Sequence, residues 1–397
     1  MKNHLWGYTK LLVPFLTKLI NFFLLNVYRL TYLIFFLIKK GNTEKEINKF
    51  LLKKPIKTLI RNDRIGDSII TLPFLLGTTE KEKYFYISEY IDQIFKSLNF
   101  KSNWEPLKKC KHNDPLIGAN LTGQCTSKIK EISRFKNNFL FTQLSFRNSI
   151  SKGLPTLFSP NFQSNISQSR FIENAFNLLK IKTDPIDGIK NLNLICKESF
   201  NINKNNLYQK SILIFLGLGL DKGRRINYET LINIQNFCSK NNYKISIQEE
   251  PGFEDTYNEL SKHINFELIP SKQISDLLKN FLYFKLVIGF DCGPMHLASL
   301  FTNTLTLFSH TSPNQWGFHI WLRKEKMYKF NYKNNNLYLQ KTLNLGTNKK
   351  NWLLYKDKFR CAIHNDKRFQ NIYSGQYCCD LNLINIKEIL KNILYEI

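Results

Sequence analysis

Residues 284–300 read FKLVIGFDCGPMHLASL: an apolar run, a turn of small residues, and an apolar helical pattern that begins at Pro294. Proline suits the first position of a helix, because the amide hydrogen that it lacks would be unpaired there. Gly293 has no Cβ and lets the backbone approach a ligand closely. The free amides and the positive dipole end of a helix start favour phosphate or pyrophosphate. The stretch therefore predicts a strand, a turn and a helix, with a phosphate-bearing ligand at the turn within reach of His296.

Strands and helices alternate around this stretch. From residue 211 onward, short apolar runs typical of strands alternate with helical patterns, and a similar series occupies residues 57–98. Such alternation indicates parallel βαβ units. We therefore predict an α/β fold of two Rossmann-like, doubly wound domains that face a central cleft. Ligands would bind in that cleft, at the carboxyl ends of the strands.

The predicted domain boundaries follow changes in composition. A basic, apolar helical arm is expected over residues 1–54, an N-terminal domain over 55–205, and a C-terminal domain with a final helix over 206–397. The polar stretch 184–206 is the expected interdomain region. Residues 331–360 are rich in Asn and Lys and are expected to form an insertion or a loop.

The charge of the chain is strongly basic. Its 397 residues contain 57 Lys+Arg and 31 Asp+Glu, a net charge of +26. Such an excess favours polyanions or anionic membrane surfaces, although an AT-rich coding sequence would also enrich lysine. No zinc knuckle, homeodomain pattern or RNA-recognition signature is present, so no specific nucleic-acid partner is expected. The eight cysteines contain no C-x-x-C pair, which predicts reduced thiols in the cytoplasm and neither a metal nor a cofactor.

The N-terminal segment is expected to touch a membrane without crossing it. Lys10, Lys18 and Arg29 divide the apolar residues 5–38 into runs of about ten, shorter than the ~20 that a span needs. Basic and aromatic residues together suit helices that lie among anionic headgroups. We expect residues 1–40 to hold the protein peripherally on the inner face of the cytoplasmic membrane. An arm packed on the protein's own core, or a true span beginning near residue 19, are the alternatives.

Several charged residues follow predicted strands, where ligands would bind. Asp67 follows the loop after the first strand, and a carboxylate there could act as general base toward a sugar hydroxyl; its alternative role is a helix N-cap. Asp63 and Arg64 in the same loop could bind substrate anions or pair with each other. Lys222 lies in a glycine-containing loop that could cradle phosphate.

Three further residues are candidates for the site. Asp291 could accept hydrogen bonds from a ligand or from the amides of its own turn. Glu254 lies near another strand-to-helix turn, where a carboxylate could bind ribose hydroxyls. His296 on an apolar helix is as readily a core residue as a ligand-binding one.

Three stretches together resemble glycosyltransferase family 9, the ADP-heptose:lipopolysaccharide heptosyltransferase family. They are IRNDRIGDSIITLPFL (60–75), FDCGPMHLASL (290–300) and FSHTSPNQWG (308–317). Cys361 with Cys378, ahead of an apolar helix, is similar to the C-terminal ends of many members. The resemblance covers roughly residues 56–397 and leaves the arm outside.

The resemblance implies a GT-B fold and an inverting transfer without an obligatory metal. The donor would be a nucleotide-sugar, ADP-heptose, and the acceptor a glycolipid of bacterial lipopolysaccharide biosynthesis. Asp67 would be the general base, and Lys222 would lie near the donor phosphates. The donor pyrophosphate loop would contain Asp291, Cys292, Gly293 and His296, ahead of Pro294.

The chain also departs from the family pattern. Cys292 replaces the usual Ser or Thr, and Gly217 and Leu218 stand where hydroxyl residues often approach the phosphates. Gly-Arg-Arg follows Lys222 in place of Trp-Pro. Two alternatives therefore stay open: a non-catalytic, membrane-associated binding or scaffold protein with a degenerate glycosyltransferase fold, and a polyanion-binding protein.

Overall fold

The fold is seen in a computed structural model. The structure describes residues 57–60, 65–79, 84–106 except 103, 116–120, 138–142, 156–157, 167–178, 181–201, 208–217, 226, 228–250, 253–271, 273–308, 313–332, 335–356 and 386–397. The arm predicted over residues 1–54 lies outside this part of the chain, as do Cys361 and Cys378. Within the described residues, none of the helices combines the length and apolar character that crossing a bilayer requires.

The chain divides into two compact units, and unit 1 contains residues 1–63, 83–86 and 107–164. Its strands pair in parallel in the order β2-β1-β4-β5-β6. Their bounds are β1 Lys57–Ile60, β2 Tyr84–Ile87, β4 Leu116–Asn120, β5 Asn138–Thr142 and β6 Thr156–Leu157. Because β1 lies between β2 and β4, the sheet grows in both directions from its first strand, as in a doubly wound fold.

Unit 2 contains residues 64–82, 87–106 and 165–397, including the short strand β3 (Glu105–Pro106). Its large sheet has the order β12-β13-β14-β11-β10-β7-β8-β9. The bounds are β7 Tyr208–Ile214, β8 Lys244–Gln248, β9 Glu267–Ile269, β10 Phe284–Phe290, β11 Asn303–Leu307, β12 Leu322–Tyr332, β13 Asn335–Asn344 and β14 Lys350–Lys356. The strands from β14 to β9 in this order pair in parallel, and β12 and β13 add an antiparallel edge.

The described helices also belong to unit 2. They are α1 Ile65–Leu76, α2 Glu89–Ser97, α3 Gln168–Leu178, α4 Pro185–Ser199, α5 Tyr228–Lys240, α6 Glu254–Ser261, α7 Ile274–Tyr283, α8 Gly293–Ala298, α9 Pro313–Trp316 and α10 Ile386–Glu396. Side-chain caps fix some of their starts, since the first amides of a helix have no partner within it. Ser88 accepts from the Ile91 amide at 3.2 Å, and Asp184 accepts from the Ile186 amide at 2.8 Å.

One hydrophobic cluster of unit 2 joins its central strands to helices α5 and α10. Leu286 and Ile288 of β10 are fully buried and pack in one cluster with Trp352 of β14, Ile234 of α5 and Leu390 of α10. Burying a side chain of this size contributes about 1.5–3 kcal/mol relative to exposing it. The apolar run that precedes the Asp291 turn is therefore the interior of the sheet, and it fixes where the turn emerges.

Two glycines allow helices α1 and α4 to pack at very short range. A Cβ added to Gly188 of α4 would lie 1.9 Å from the Pro73 carbonyl oxygen and 2.8 Å from the Gly77 nitrogen. The Gly77 amide donates to Pro73 at 2.9 Å, and the Asp184 amide donates to the Gly77 carbonyl at 3.0 Å. The end of α1 and the start of α4 thus form one hydrogen-bonded joint that leaves no space for a side chain.

The predicted α/β fold class is confirmed by these largely parallel sheets. The expected interdomain stretch 184–206 forms helix α4 over much of its length, and the domain boundaries at 54/55 and 205/206 stay predictions. The expectation of an insertion or loop over residues 331–360 is wrong for the described part, which forms β13, β14 and the end of β12. These residues form a strand because alternate side chains of β13 lie on one buried face. Leu337 and Leu339 are buried on that face, and Lys341, on the same face, pairs with Glu396 at 2.6 Å.

We predict that Gly188→Ala destabilises the protein strongly, because a methyl group placed 1.9 Å from a carbonyl oxygen forces α1 and α4 apart. Overpacking of this kind costs about 1–3 kcal/mol or more. Urea denaturation measures the change. Glu198→Ala, at an exposed position of the same helix, is the control and should change the free energy of unfolding by less than about 0.5 kcal/mol. Equal stability of the two variants would contradict the close helix contact.

Candidate functional site

The strand order of unit 2 reverses between β7 and β10. From β7 the sheet continues to β8 and β9 on one side, and from β10 it continues to β11 on the other. In open parallel sheets, ligands bind outside the carboxyl ends of the strands at such a point, because the connections diverge and leave a crevice. Residues 215–217 follow β7 there, and the turn at Asp291 and Cys292 follows β10.

Backbone hydrogen bonds hold the turn after β10 in place. The Asp291 amide donates to the Leu307 carbonyl at the end of β11 at 3.0 Å, and the His296 amide donates to the Cys292 carbonyl at 3.1 Å. Cys292 is the N-cap residue of α8, with extended backbone and no side-chain hydrogen bond to the helix start. The Ser299 hydroxyl donates to the His296 carbonyl at 2.7 Å, so both ends of the short helix are fixed.

Asp291 and His296 form a buried pair in this turn. The Nε2 atom of His296 lies 3.1 Å from a carboxylate oxygen of Asp291, and the two side chains are only 10% and 5% exposed. The pair therefore places an imidazole in contact with a carboxylate at the carboxyl end of β10.

A second histidine, His319, packs against His296. His319 is buried, stacks on Trp321 with ring centroids 4.7 Å apart, and meets His296 edge to face at 5.5 Å. Among the described residues, neither ring nitrogen of His319 has a hydrogen-bond partner. Burial, and then the proximity of His296, hold the pKa of His319 well below its usual value. His319 is therefore neutral at neutral pH, and it packs on His296 without adding charge.

The first turn of α1 contacts the first turn of α8. A Cβ added to Gly293 would lie 2.4 Å from Ile65 Cγ2 and 2.9 Å from the Gly66 nitrogen. A Cβ added to Gly66 would lie 3.4 Å from the His296 ring. The two glycines close against each other, and no room is left between them.

Asp67 follows Gly66 directly and is the third residue of α1. The helix begins at Ile65, so Asp67 lies inside its first turn and is not the residue that precedes it. The N-cap role considered for Asp67 is therefore wrong. The contact between Gly66 and Gly293 places the backbone of Asp67 beside the donor turn expected from the sequence.

The structure brings some of the other predicted site residues together and places others apart. The turn brings together Asp291, Cys292, Gly293, Pro294 and His296. Glu254 is the exposed first residue of α6, on the same edge of the sheet but beyond β7. Asp63, Arg64 and Lys222 lie outside the described residues.

His319 was missed by the sequence predictions, because a histidine in an irregular stretch gives no sign that the fold buries it beside His296. In the described parts of the chain, no group of three or more His, Cys, Asp or Glu side chains is arranged to hold a metal ion. A surface groove of about 670 Å³ lies at the end of α6, and none of the predicted site residues lines it.

We predict that Gly293→Ala impairs the protein much more than Gly66→Ala. The Gly293 methyl group would meet Ile65 and the Gly66 backbone at 2.4–2.9 Å, whereas the Gly66 methyl group meets its neighbours at 3.2–3.4 Å, which a small shift relieves. A loss of about 1–3 kcal/mol is expected for the first and under about 1 kcal/mol for the second. Thermal unfolding of the two variants measures this, and an inverted order would contradict the contact.

We also predict that His319 makes the protein less stable in mild acid. Because its folded pKa is depressed, the unfolded chain binds a proton below about pH 6.5 that the folded protein does not bind. The free energy of unfolding should then fall by up to about 1.4 kcal/mol per pH unit as the pH drops below that value. Denaturation of the wild type and His319→Phe between pH 5 and 8 tests this. A wild-type slope that survives the substitution unchanged would exclude His319 as its source.

Comparison with known proteins shows what this region is similar to. Residues 228–349 match the family model of glycosyltransferase family 9 (heptosyltransferase). No curated protein matches the chain. The solved glycosyl transferase family 9 protein of Veillonella parvula is 12% identical, with a TM-score of 0.48 over 67% of this chain and 83% of that one.

Two proteins of E. coli are similar to a comparable degree. ADP-heptose lps heptosyltransferase II is 12% identical, with a TM-score of 0.46 over 66% of this chain and 87% of that one. Heptosyltransferase WaaC, solved with ADP-2-deoxy-2-fluoro heptose, is 15% identical, with a TM-score of 0.47 over 66% and 92%. The family match itself begins with α5 and includes the whole turn from Asp291 to His296. Over residues 228–349, the chain is therefore similar to glycosyltransferase family 9 (heptosyltransferase).

Proposed function

We propose that the protein is an inverting glycosyltransferase. It transfers heptose from ADP-heptose to a lipopolysaccharide-core or related glycolipid acceptor. The family 9 domain over residues 228–349 supports the transferase class. The choice of heptose, of an adenine nucleotide and of a glycolipid follows the motifs around Asp67 and the Asp291 turn.

One observation carries the proposal: the first turn of α1 touches the donor turn through Gly66 and Gly293. A transferase must bring an acceptor hydroxyl and the departing diphosphate to the same carbon atom. Proximity of this kind supplies much of the rate of a two-substrate reaction. The contact puts the residue proposed as general base and the residues proposed to hold the diphosphate on adjacent helix starts.

The donor diphosphate lies beside the glycine contact, at the crevice between the ends of β7 and β10. His296, oriented by Asp291 at 3.1 Å, faces the phosphates with the nitrogen that does not point to the carboxylate. Lys222 offsets the charge of the departing nucleotide. Fixed charges and donors of this kind, aimed at the group whose charge grows, provide large transition-state stabilisation.

The chemical step is a displacement at the anomeric carbon. Asp67 accepts the proton of the acceptor hydroxyl, whose oxygen forms the new bond to that carbon. The bond between the carbon and the phosphate oxygen breaks on the opposite face, and ADP leaves with the electron pair. Asp63 and Arg64, in the loop before Asp67, contact the acceptor, and Glu254 contacts the donor ribose.

The location is proposed from composition. Residues 1–40 hold the protein on the inner face of the cytoplasmic membrane, where a phosphorylated glycolipid acceptor would be available. Their basic and aromatic residues, together with a net charge of +26, support attraction to anionic lipids.

We predict that Asp67→Asn lowers the transfer rate by about 10²- to 10⁴-fold, the usual contribution of a general base. The substitution keeps the shape of the side chain but removes its basicity. Product formation from ADP-heptose and a lipopolysaccharide-core acceptor, followed by mass spectrometry, measures the rate. Calorimetry with ADP should show unchanged affinity, because Asp67 acts on the acceptor.

Asp187→Asn is the matched control, since Asp187 is exposed on α4 and pairs only locally with Lys190. Its activity should equal that of the wild type. Wild-type activity in Asp67→Asn would remove Asp67 from the mechanism. Wild-type protein that binds no ADP-sugar would instead favour a scaffold, and steep salt-dependent DNA binding that is insensitive to Asp67 would favour a polyanion-binding protein.

A further inference from the structure

The outermost described strand of the large sheet is strongly basic. β12 stands at the end of the strand order and pairs with β13. Its exposed cationic side chains are Arg323, Lys324, Lys326 and Lys329. Lysines on an edge strand hinder pairing with another chain, which is one role for them. The two faces of the strand differ in how their charges are paired, and this difference points to a second role.

On the side of β12 that packs on the core, the charges are paired. Tyr328 packs there against the hydrophobic cluster of unit 2. Arg323 lies 3.3 Å from one carboxylate oxygen of Glu325, and Lys341 of β13 lies 3.0 Å from the other. Glu396 of α10 adds a second carboxylate to Lys341 at 2.6 Å. Cations and carboxylates therefore balance on this side, which leaves no excess charge for a partner.

The opposite face carries cations beside aromatic rings. Lys329 pairs with Tyr338 of β13, and Tyr338 pairs with Tyr355 of β14, so the three side chains form a row on one face of the sheet. The two tyrosine rings stack with centroids 5.7 Å apart. Phe318 meets Tyr355 edge to face at 6.2 Å, and the Lys324 Nζ atom lies 3.9 Å from the centroid of the Phe318 ring. Among the described residues, no carboxylate forms a salt bridge with Lys324 or Lys329.

Met327 adds an exposed apolar side chain to this face. It lies two residues before Lys329 on the same strand face, its sulfur is 4.0 Å from the Tyr355 hydroxyl, and it is 54% exposed. The lysine–aromatic face consists of Phe318, Lys324, Met327, Lys329, Tyr338 and Tyr355. Protection of an edge strand accounts for its lysines but not for the apolar groups between them. An exposed apolar patch rimmed by polar groups is typical of an interaction site, and here the partner must be both anionic and apolar.

An anionic bilayer has both properties. Tyrosine rings suit the headgroup level of a membrane, and lysine side chains lay their stems on apolar surface while the ammonium groups reach the phosphates. Single-stranded nucleic acid would instead stack its bases on free ring faces. Side chains of a strand stand nearly perpendicular to the sheet, so Tyr338 and Tyr355, stacked on each other, present their edges outward. The geometry therefore favours a lipid surface over a nucleic acid.

We propose that the lysine–aromatic face docks on an anionic lipid bilayer. Lys324 and Lys329 contact the phosphates of the headgroups, and Met327 lies among the headgroups with the edges of the tyrosine rings around it. The inference goes beyond the proposed function, because it requires neither the transfer reaction nor a contact through residues 1–40.

Neutralising the two lysines tests the electrostatic part of the proposal. The full-length protein is mixed with vesicles of equal parts phosphatidylcholine and phosphatidylglycerol, and the bound fraction is measured by co-sedimentation. Lys324→Gln combined with Lys329→Gln should weaken binding about 25-fold, since each lysine near an anionic leaflet contributes about fivefold. Lys240→Gln combined with Lys244→Gln is the matched control, because it removes the same charge from exposed positions outside this face. The control should change the affinity by less than about twofold, because charges away from the contact are screened.

Met327 permits a direct measurement in the unaltered protein. The chain contains 3 methionines, Met1, Met295 and Met327, whose isotope-labelled methyl groups are resolved by NMR. In nanodiscs of the same lipids with a spin-labelled headgroup, the Met327 signal should broaden. Met295 is only 1% exposed and should stay sharp. Met327→Leu assigns the signal, and Met1 reports separately on the N-terminal segment.

The outcomes separate this proposal from the others. Equal vesicle affinities of the two double variants would overturn it. A sharp Met327 signal beside a broadened Met1 signal would overturn it too, and would assign the contact to the N-terminal segment. Normal vesicle binding with new self-association of the Lys324 and Lys329 variant would leave those lysines with edge protection only. A loss seen with single-stranded DNA but not with vesicles would favour a nucleic acid. Both double variants should bind ADP like the wild type, so a failure of the proposed donor site is detected independently.

Discussion

The close approach of two helix starts, at Gly66 and Gly293, is the constraint on which the candidate site depends. A Cβ on Gly293 would fall at 2.4 Å from Ile65 Cγ2, so any other residue would separate α1 from α8. At the other end of α1, Gly77 and Gly188 allow an equally close contact with α4 that leaves no space for a side chain. Because α1 is fixed at both ends by contacts that exclude side chains, the position of its first turn relative to the Asp291 turn is fixed too.

Electrostatics then distinguishes the two histidines that share this region. The Nε2 atom of His296 lies 3.1 Å from a carboxylate oxygen of Asp291. His319 has no such partner among the described residues, and burial keeps it neutral. The two rings are 5.5 Å apart, and a charge on the buried His319 would be costly because it has no carboxylate partner among the described residues. Of the two histidines, it is therefore His296 that is paired with a carboxylate.

The sequence predicted the elements of the C-terminal sheet well, because runs such as 284–290 are apolar apart from Lys285. It also predicted the turn and the helix start after β10, because proline suits the first helical positions and Gly293 tolerates a close approach of the backbone. The sequence analysis failed at β13 and β14, because their many Asn and Lys residues obscure the alternation of buried and exposed positions. That alternation becomes clear only from the pairing of the two strands. The sequence analysis also missed the burial of His319 beside His296 and the hydrogen bond from the Leu216 amide to Glu250, since both depend on contacts between distant segments.

The end of β7 shows how a carboxylate of the protein can occupy backbone donors at a switch point. The Leu216 amide donates to the Glu250 carboxylate at 3.0 Å, and the Gly217 amide donates to the same oxygen at 3.4 Å. The first amides after such a strand are common contacts for an anion. Because Glu250 already accepts from both amides, it determines which backbone groups at the carboxyl end of β7 are available to a ligand.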